Sequence, residues 1–315
     1  MRPLASLLVL TLFALAVVAA PTFAQETAAS PSDTTYAEVS LVLEGGYALV
    51  PVSVGRLDSL LFVLDTAASA SVISPATRDA LGFTEDDGGI AQVLGASGPT
   101  EYQLVQLDAL TVGGRTERDL LVAVIDLDRF EQGETTYAGI LGNDFLRRFD
   151  VEYDRLGQVL GLYAKGTVPP ERLAGTVAVP FAGGGFGGFV SFDATLGDAA
   201  VTAIVDTGAG RSVFNTAAAA LEGATPDSER VQRQDEGTRG LGDAVTETYR
   251  YTFEYFAVEG VVFEPREVRI ADLPVFSVLG LAEEPAIILG NDVVGQRPVF
   301  LLYSTGTAHF GPAMP

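Results

Sequence analysis

Cysteine and tryptophan are absent from these 315 residues, and histidine and lysine occur once each, as His309 and Lys165. Without cysteine the chain has no disulfide, no zinc–thiolate site and no thiol nucleophile. One histidine is too few for a zinc site built on two or three imidazoles. A Ser-His-Asp triad would have to use His309, and no Gly-x-Ser-x-Gly elbow accompanies it. Positive charge is scarce too: 19 Lys and Arg stand against 41 Asp and Glu, for a net charge of −22. So acidic a chain repels nucleic acid and anionic lipid. No stretch after the first turns of the chain is apolar enough, for long enough, to cross a bilayer.

That first stretch has its own logic. Arg2 gives a positive start, Leu4 to Ala20 an apolar run, and Thr22-Phe23-Ala24 a cleavage site before Gln25. Residues 1–24 therefore read as a secretion signal, and the expected location is secreted or periplasmic. The alternative is an uncleaved membrane anchor, for which the run is slightly short. Residues 25–35 are small and polar, a flexible leader.

What is present is a repeat. Phe62-Val63-Leu64-Asp65-Thr66-Ala67-Ala68 returns as Ile204-Val205-Asp206-Thr207-Gly208-Ala209, with the two Asp residues 141 positions apart. Nine residues after each Asp comes a helix N-cap, Ser74 or Asn215, and 17 after each comes a glycine, Gly82 or Gly223. Those residue types open and close helices. The register then runs on: Leu94-Gly95 with Tyr102 against Leu241-Gly242 with Tyr249, and Val124 to Leu127 against Ile270 to Leu273. It ends on Ile140-Leu141-Gly142-Asn143-Asp144 against Ile288-Leu289-Gly290-Asn291-Asp292, where the offset has grown to 148. A few residues of loop insertion explain that drift.

Strand patterns dominate each copy. Val39 to Leu43 and Tyr47 to Val54 read as a hairpin around Gly45-Gly46, and Leu60 to Leu64 as the strand that delivers Asp65. Leu104 to Val112 and Leu120 to Ile125 read as further strands, and Val151 to Tyr153 with Val159 to Tyr163 as a closing hairpin. Residues 166–175, with Pro169-Pro170, read as a linker. The glycine cluster at 183–188 reads as a plain turn, because no P-loop spacing follows. The expectation is an all-β protein of two similar barrel lobes, 36–165 and 176–315.

The chemistry left open is that of paired carboxylates. If the lobes pack about a pseudo-two-fold axis, Asp65 and Asp206 meet on it. Two adjacent carboxyls do not both ionise readily, so one keeps its proton. The ionised member can take a proton from water while the protonated one hydrogen-bonds a carbonyl. Such a pair hydrolyses amides with no cofactor and no metal. Glycosidases also pair carboxylates, at separations of about 5 to 9 Å, but the chain has no tryptophan for a sugar platform.

The doubled strand-end Asp, each followed by Ile-Leu-Gly, resembles the aspartic peptidases, and most closely the retropepsin-like branch as a tandem single chain. The likeness runs from about Val39 to Phe310. It implies an endopeptidase for peptide or protein substrates, working as a monomer, with Asp65 and Asp206 as the catalytic dyad. It implies that Thr66 and Thr207 cross-link the dyad loops, with Ala67 and Gly208 supplying loop backbone. It further implies that Ile140-Leu141-Gly142 and Ile288-Leu289-Gly290 pack behind those loops. Gly95, Tyr102, Gly242 and Tyr249 would belong to flaps over the cleft, where Tyr102 and Tyr249 read equally well as half-buried strand residues.

Two positions depart from the family pattern. Ala67 stands where the family has glycine, which is tolerable at negative φ and costly at positive φ. Ala68 and Ala209 stand where pepsin-like members often carry a hydroxyl that lowers a dyad pKa, so an optimum nearer neutral is expected. A catalytically weakened or inactive peptide-binding protein on the same fold is the alternative function.

Overall fold

The computed structural model describes residues 35–95, 98–128, 135–182, 189–239 and 245–313. The proposed signal at 1–24, nearly all of the leader, the 183–188 glycine cluster and Gly242 lie outside these residues.

Strands make up 47% of the described residues and helix 12%, in a two-lobed arrangement. The first lobe is an eight-stranded sheet and the second a nine-stranded one. They are built alike. In the first lobe Leu57–Leu64 runs parallel to Gly139–Leu141, with Val63 opposite Ile140 and Leu64 opposite Leu141. In the second, Ala199–Val205 runs parallel to Ala286–Leu289, with Ile204 opposite Ile288 and Val205 opposite Leu289. Each Ile-Leu-Gly therefore lies directly beside the strand that carries its Asp.

The helices fall where their caps indicate. Ser74 caps Pro75–Leu81 by accepting from the Thr77 N–H, and Gly82 ends it at φ +92°. Asn215 caps Thr216–Leu221 by accepting from the Ala218 N–H. Asn143–Leu146 forms a single turn.

A third sheet joins the lobes. Its six strands run from Tyr36–Ser40 at one edge to Val177–Pro180 at the other. At its centre Asp150–Asp154 pairs antiparallel with Val299–Leu302, Val151 facing Leu301. This corrects two expectations. The strand begun at Val39 does not continue into the first hairpin: Tyr36–Ser40 enters the shared sheet, and Val42–Glu44 pairs with Tyr47–Val54. The switch falls at Leu41, whose N–H still bonds Gln158 O at 2.8 Å. Likewise Val151 to Tyr153 and Val159 to Tyr163 do more than close the first lobe, since with Tyr36–Ser40 they form half of the sheet that spans both. The strands expected from Leu104 and Leu120 begin earlier, as Gly98–Val112 and Arg115–Val124.

Candidate active site

The two Asp-Thr loops meet where the lobes join. Each Asp is seated by its neighbour strand: Asp65 N–H bonds Leu141 O at 3.0 Å and Asp206 N–H bonds Leu289 O at 2.9 Å. The next residue crosses to the other lobe. Thr66 Oγ1 donates to Val205 O and accepts from the Thr207 N–H, both at 3.1 Å. Thr207 Oγ1 donates to Leu64 O at 2.8 Å and accepts from the Thr66 N–H at 3.1 Å. Four reciprocal bonds thus tie two loops 141 residues apart in sequence. All these groups are buried, so losing either hydroxyl would strand a donor and an acceptor.

Behind the loops a second layer repeats across the axis. Gly142 and Gly290 press so closely on the turns that a Cβ there would sit 2.7 Å from Ala70 C and 2.6 Å from Arg211 C respectively. Asn143 Nδ2 donates to Thr66 O at 2.6 Å, and Asn291 Nδ2 to Thr207 O at 2.7 Å. Each Asn is held in turn from the opposite lobe: Tyr303 OH donates to Asn143 Oδ1, Tyr153 OH to Asn291 Oδ1. Asp144 and Asp292 each accept from a serine hydroxyl, Ser71 and Ser212, at 2.7 Å. Those hydroxyls receive the N–H groups of Gly142 and Gly290. Burial lifts the pKa of both Asp144 and Asp292, and the serine bonds oppose the rise.

The sequence displayed the Gly-Asn-Asp echo without giving its reason. Ser71, Ser212, Tyr153 and Tyr303 were missed. A shared spacing after each Asp marks the two serines. Nothing local marks the tyrosines, because their partners lie about 140 to 160 residues away.

Asp65 and Asp206 are both 0% exposed. Burial first, and the adjacent Asp65 second, raise the Asp206 pKa well above the usual carboxylate range. The amides of Gly208 and Ala209 oppose this. Neither closes a bond of full geometry, and the side chain that the Asp206 carboxyl meets is that of Asp65. An isolated buried carboxylate is costly, so a proton on Asp206 is the economical state. On the other side, Asp65 Oδ1 accepts the Ala67 N–H at 2.8 Å. Ala67 is outside the left-handed region, and so is Gly208. The methyl of Ala67 joins an apolar cluster otherwise drawn from the second lobe, including Ile204, Val213 and Ile288. Its Cβ therefore has both a permitted φ and a place to go.

The remaining positions lie farther out. Ile140 and Ile288 face the layers that include Ala68 and Ala67 respectively, while Leu141 and Leu289 join the main core. Gly95 ends the strand Gly89–Gly95, opposite Gly98 in a hairpin whose Tyr102 pairs with Ala91. Tyr249 pairs with Arg233 and Ile270 in the second lobe. Both tyrosines are half-buried. His309 is remote in the shared sheet, its Nδ1 3.0 Å from Thr176 Oγ1.

No curated protein matches the chain. A family model described as aspartyl protease matches it twice, over residues 50–145 and 192–293. Each match takes in one Asp loop, its Ile-Leu-Gly and the Asn-Asp pair behind it. Two copies of one family's unit thus cover most of both lobes, and the chain belongs to the aspartyl protease family.

Proposed function

We propose that the protein is an aspartic endopeptidase in which Asp65 and Asp206 share one proton and activate water against a peptide carbonyl. One observation carries this: Asp65 and Asp206, both fully buried, are brought together by the reciprocal Thr66–Thr207 bonds, and burial with the adjacent Asp65 raises the Asp206 pKa. Asp206 holds the proton and donates to the carbonyl under attack, and ionised Asp65, steadied by the Ala67 N–H, takes the proton of water. The cross-linked threonines and the Asn layer fix the two carboxyls relative to each other, and fixed geometry is what such catalysis requires. Both carboxyls are buried, so substrate entry requires the groups that cover them to move aside. One chain supplies both acids, so it works as a monomer.

The same burial is what favours the second reading, a peptide-binding protein with a silent dyad. A statine-type inhibitor, which imitates the hydrated carbonyl, separates them. Stoichiometric tight binding that abolishes peptide cleavage supports the peptidase. Peptide binding without turnover at any pH from 3 to 8 supports the second reading.

We place the protein outside the cytoplasm, on the strength of the charged and apolar pattern of residues 1–24. Among the described residues no helix is long and apolar enough to cross a membrane. N-terminal sequencing of the exported protein should begin at Gln25; retention of Met1 would contradict the cleavage.

A further inference from the structure

The two lobes differ along one row of side chains. In a sheet, residues directly opposite one another share a face. In the first lobe the row beside the dyad strand reads Val63, Ile140, Val72, Ala123, Leu104. All five are buried in one apolar cluster with Ala68. The matching row of the second lobe reads Ile204, Ile288, Val213, Arg269, Arg250. It is apolar beside Asp206 and becomes cationic at its far end.

Arg250 is satisfied, donating twice to Gln232 and lying 3.7 Å from Glu267. Arg269 is not. Its neighbours Val268 and Ile270 point into the main core, so its own side chain lies on the opposite face, with Val213 and the dyad-loop cluster. It is half-buried, and Nη1 donates to Thr238 Oγ1 at 3.0 Å. Among the described residues no carboxylate stands within salt-bridge distance of it. The charge beside it is Arg211, an exposed residue five positions after Asp206. Tyr47 of the first lobe, Asp292 and Glu236 act on it in the opposite sense. Burial and then Arg211 draw its pKa down to about 10, so it remains a cation at neutral pH. Among the described residues neither Arg211 nor Arg269 closes a salt bridge, although Asp292 acts on both and Glu236 on Arg269.

We propose that Arg269, aided by Arg211, is a specificity-determining subsite for an acidic side chain of the peptide substrate. The idea rests on the cleft reading above for its location and deepens it. Three strand spacings, about 14 Å, separate Ile204 from Arg269, and an extended peptide advances about 3.3 Å per residue. With the reach of an arginine, the acid falls roughly two to four residues from the bond cleaved. A guanidinium in a half-buried setting pairs strongly with a carboxylate, and its apolar counterpart in the other lobe offers none of this.

The test uses two readouts on the intact mature protein. Matched extended peptides carrying Glu or Gln at each position are compared for binding, by fluorescence anisotropy, and for cleavage. Wild type should favour Glu at one position by about tenfold or more at pH 6, and the preference should vanish below about pH 4 as the peptide acid protonates. Arg269→Gln should abolish the preference in both readouts. Should that variant fail to fold, Arg211→Gln, at an exposed site, should reduce it several-fold. Equal binding of Glu and Gln peptides, binding of neither at millimolar concentration, or an undiminished Glu preference in Arg269→Gln overturns the subsite. Cleavage without acidic preference overturns it while leaving the dyad intact. Glu-selective binding lost in Arg269→Gln, with no cleavage, upholds the subsite and removes the dyad mechanism.

Discussion

Asp206 is kept where water cannot solvate it, and that has a consequence for stability. An acid whose pKa rises on folding holds a proton in the folded state that the unfolded chain releases. Its contribution is therefore intact below the ordinary value of 3.8 and is lost as pH climbs from there toward the raised value. Asp206→Asn removes that liability. The variant should melt higher than wild type at pH 7, with the gap closing toward pH 4, in paired thermal scans. A variant that melts lower at pH 7 would mean Asp206 is ionised and well partnered. Ala67 makes the opposite kind of contribution. Its φ needs no glycine and its methyl is buried against the second lobe. Ala67→Gly should cost about 1 kcal/mol through lost burial and added backbone freedom, measured by chemical denaturation, with turnover retained.

Among the elements, the Ile-Leu-Gly strands do more than back the loops. Each aligns its Asp through one backbone bond and closes on the turn so tightly that only glycine fits. Gly290→Ala would put a carbon into the Arg211 and Ala209 backbone, which has no flexible tip to yield. It should cost about 3 kcal/mol or more, as overpacking does at its upper end, and cut turnover far more than the same change at exposed Gly89, where a Cβ meets nothing within 4 Å. Equal effects at the two sites would show that the close approach is unimportant. Much of this level was legible in the sequence. Caps at Ser74 and Asn215, and the strands ending in Asp, announce themselves through local patterns of 2 and 3.6 residues. The sheet switch at Leu41 did not, because an alternating pattern is blind to which sheet a strand joins.

At the scale of the molecule, the repeat disclosed two lobes but not how they are fastened. The pairing of Val151 with Leu301 and the swap of Tyr153 and Tyr303 join residues with no neighbouring signal in sequence. Ser304 adds to the fastening by donating from N and Oγ to buried Asp150. The linker is therefore dispensable once the protein has folded. A lysine-specific endoprotease cutting after exposed Lys165, the one lysine, should leave a nicked protein that elutes as one particle in size-exclusion chromatography and keeps its turnover. Separation of the halves without denaturant would contradict a shared sheet.

The most direct measurement is turnover of an extended peptide against pH, for wild type and Asp206→Asn side by side. With a shared proton, wild type gives a bell with two carboxylate limbs, peaking above about pH 3 because burial raises Asp206. Asp206→Asn, folded, falls by at least ~100-fold across the range. Equal turnover by the two proteins, or a wild-type rate unchanged from pH 3 to 8, would mean that Asp65 and Asp206 are not the reacting pair.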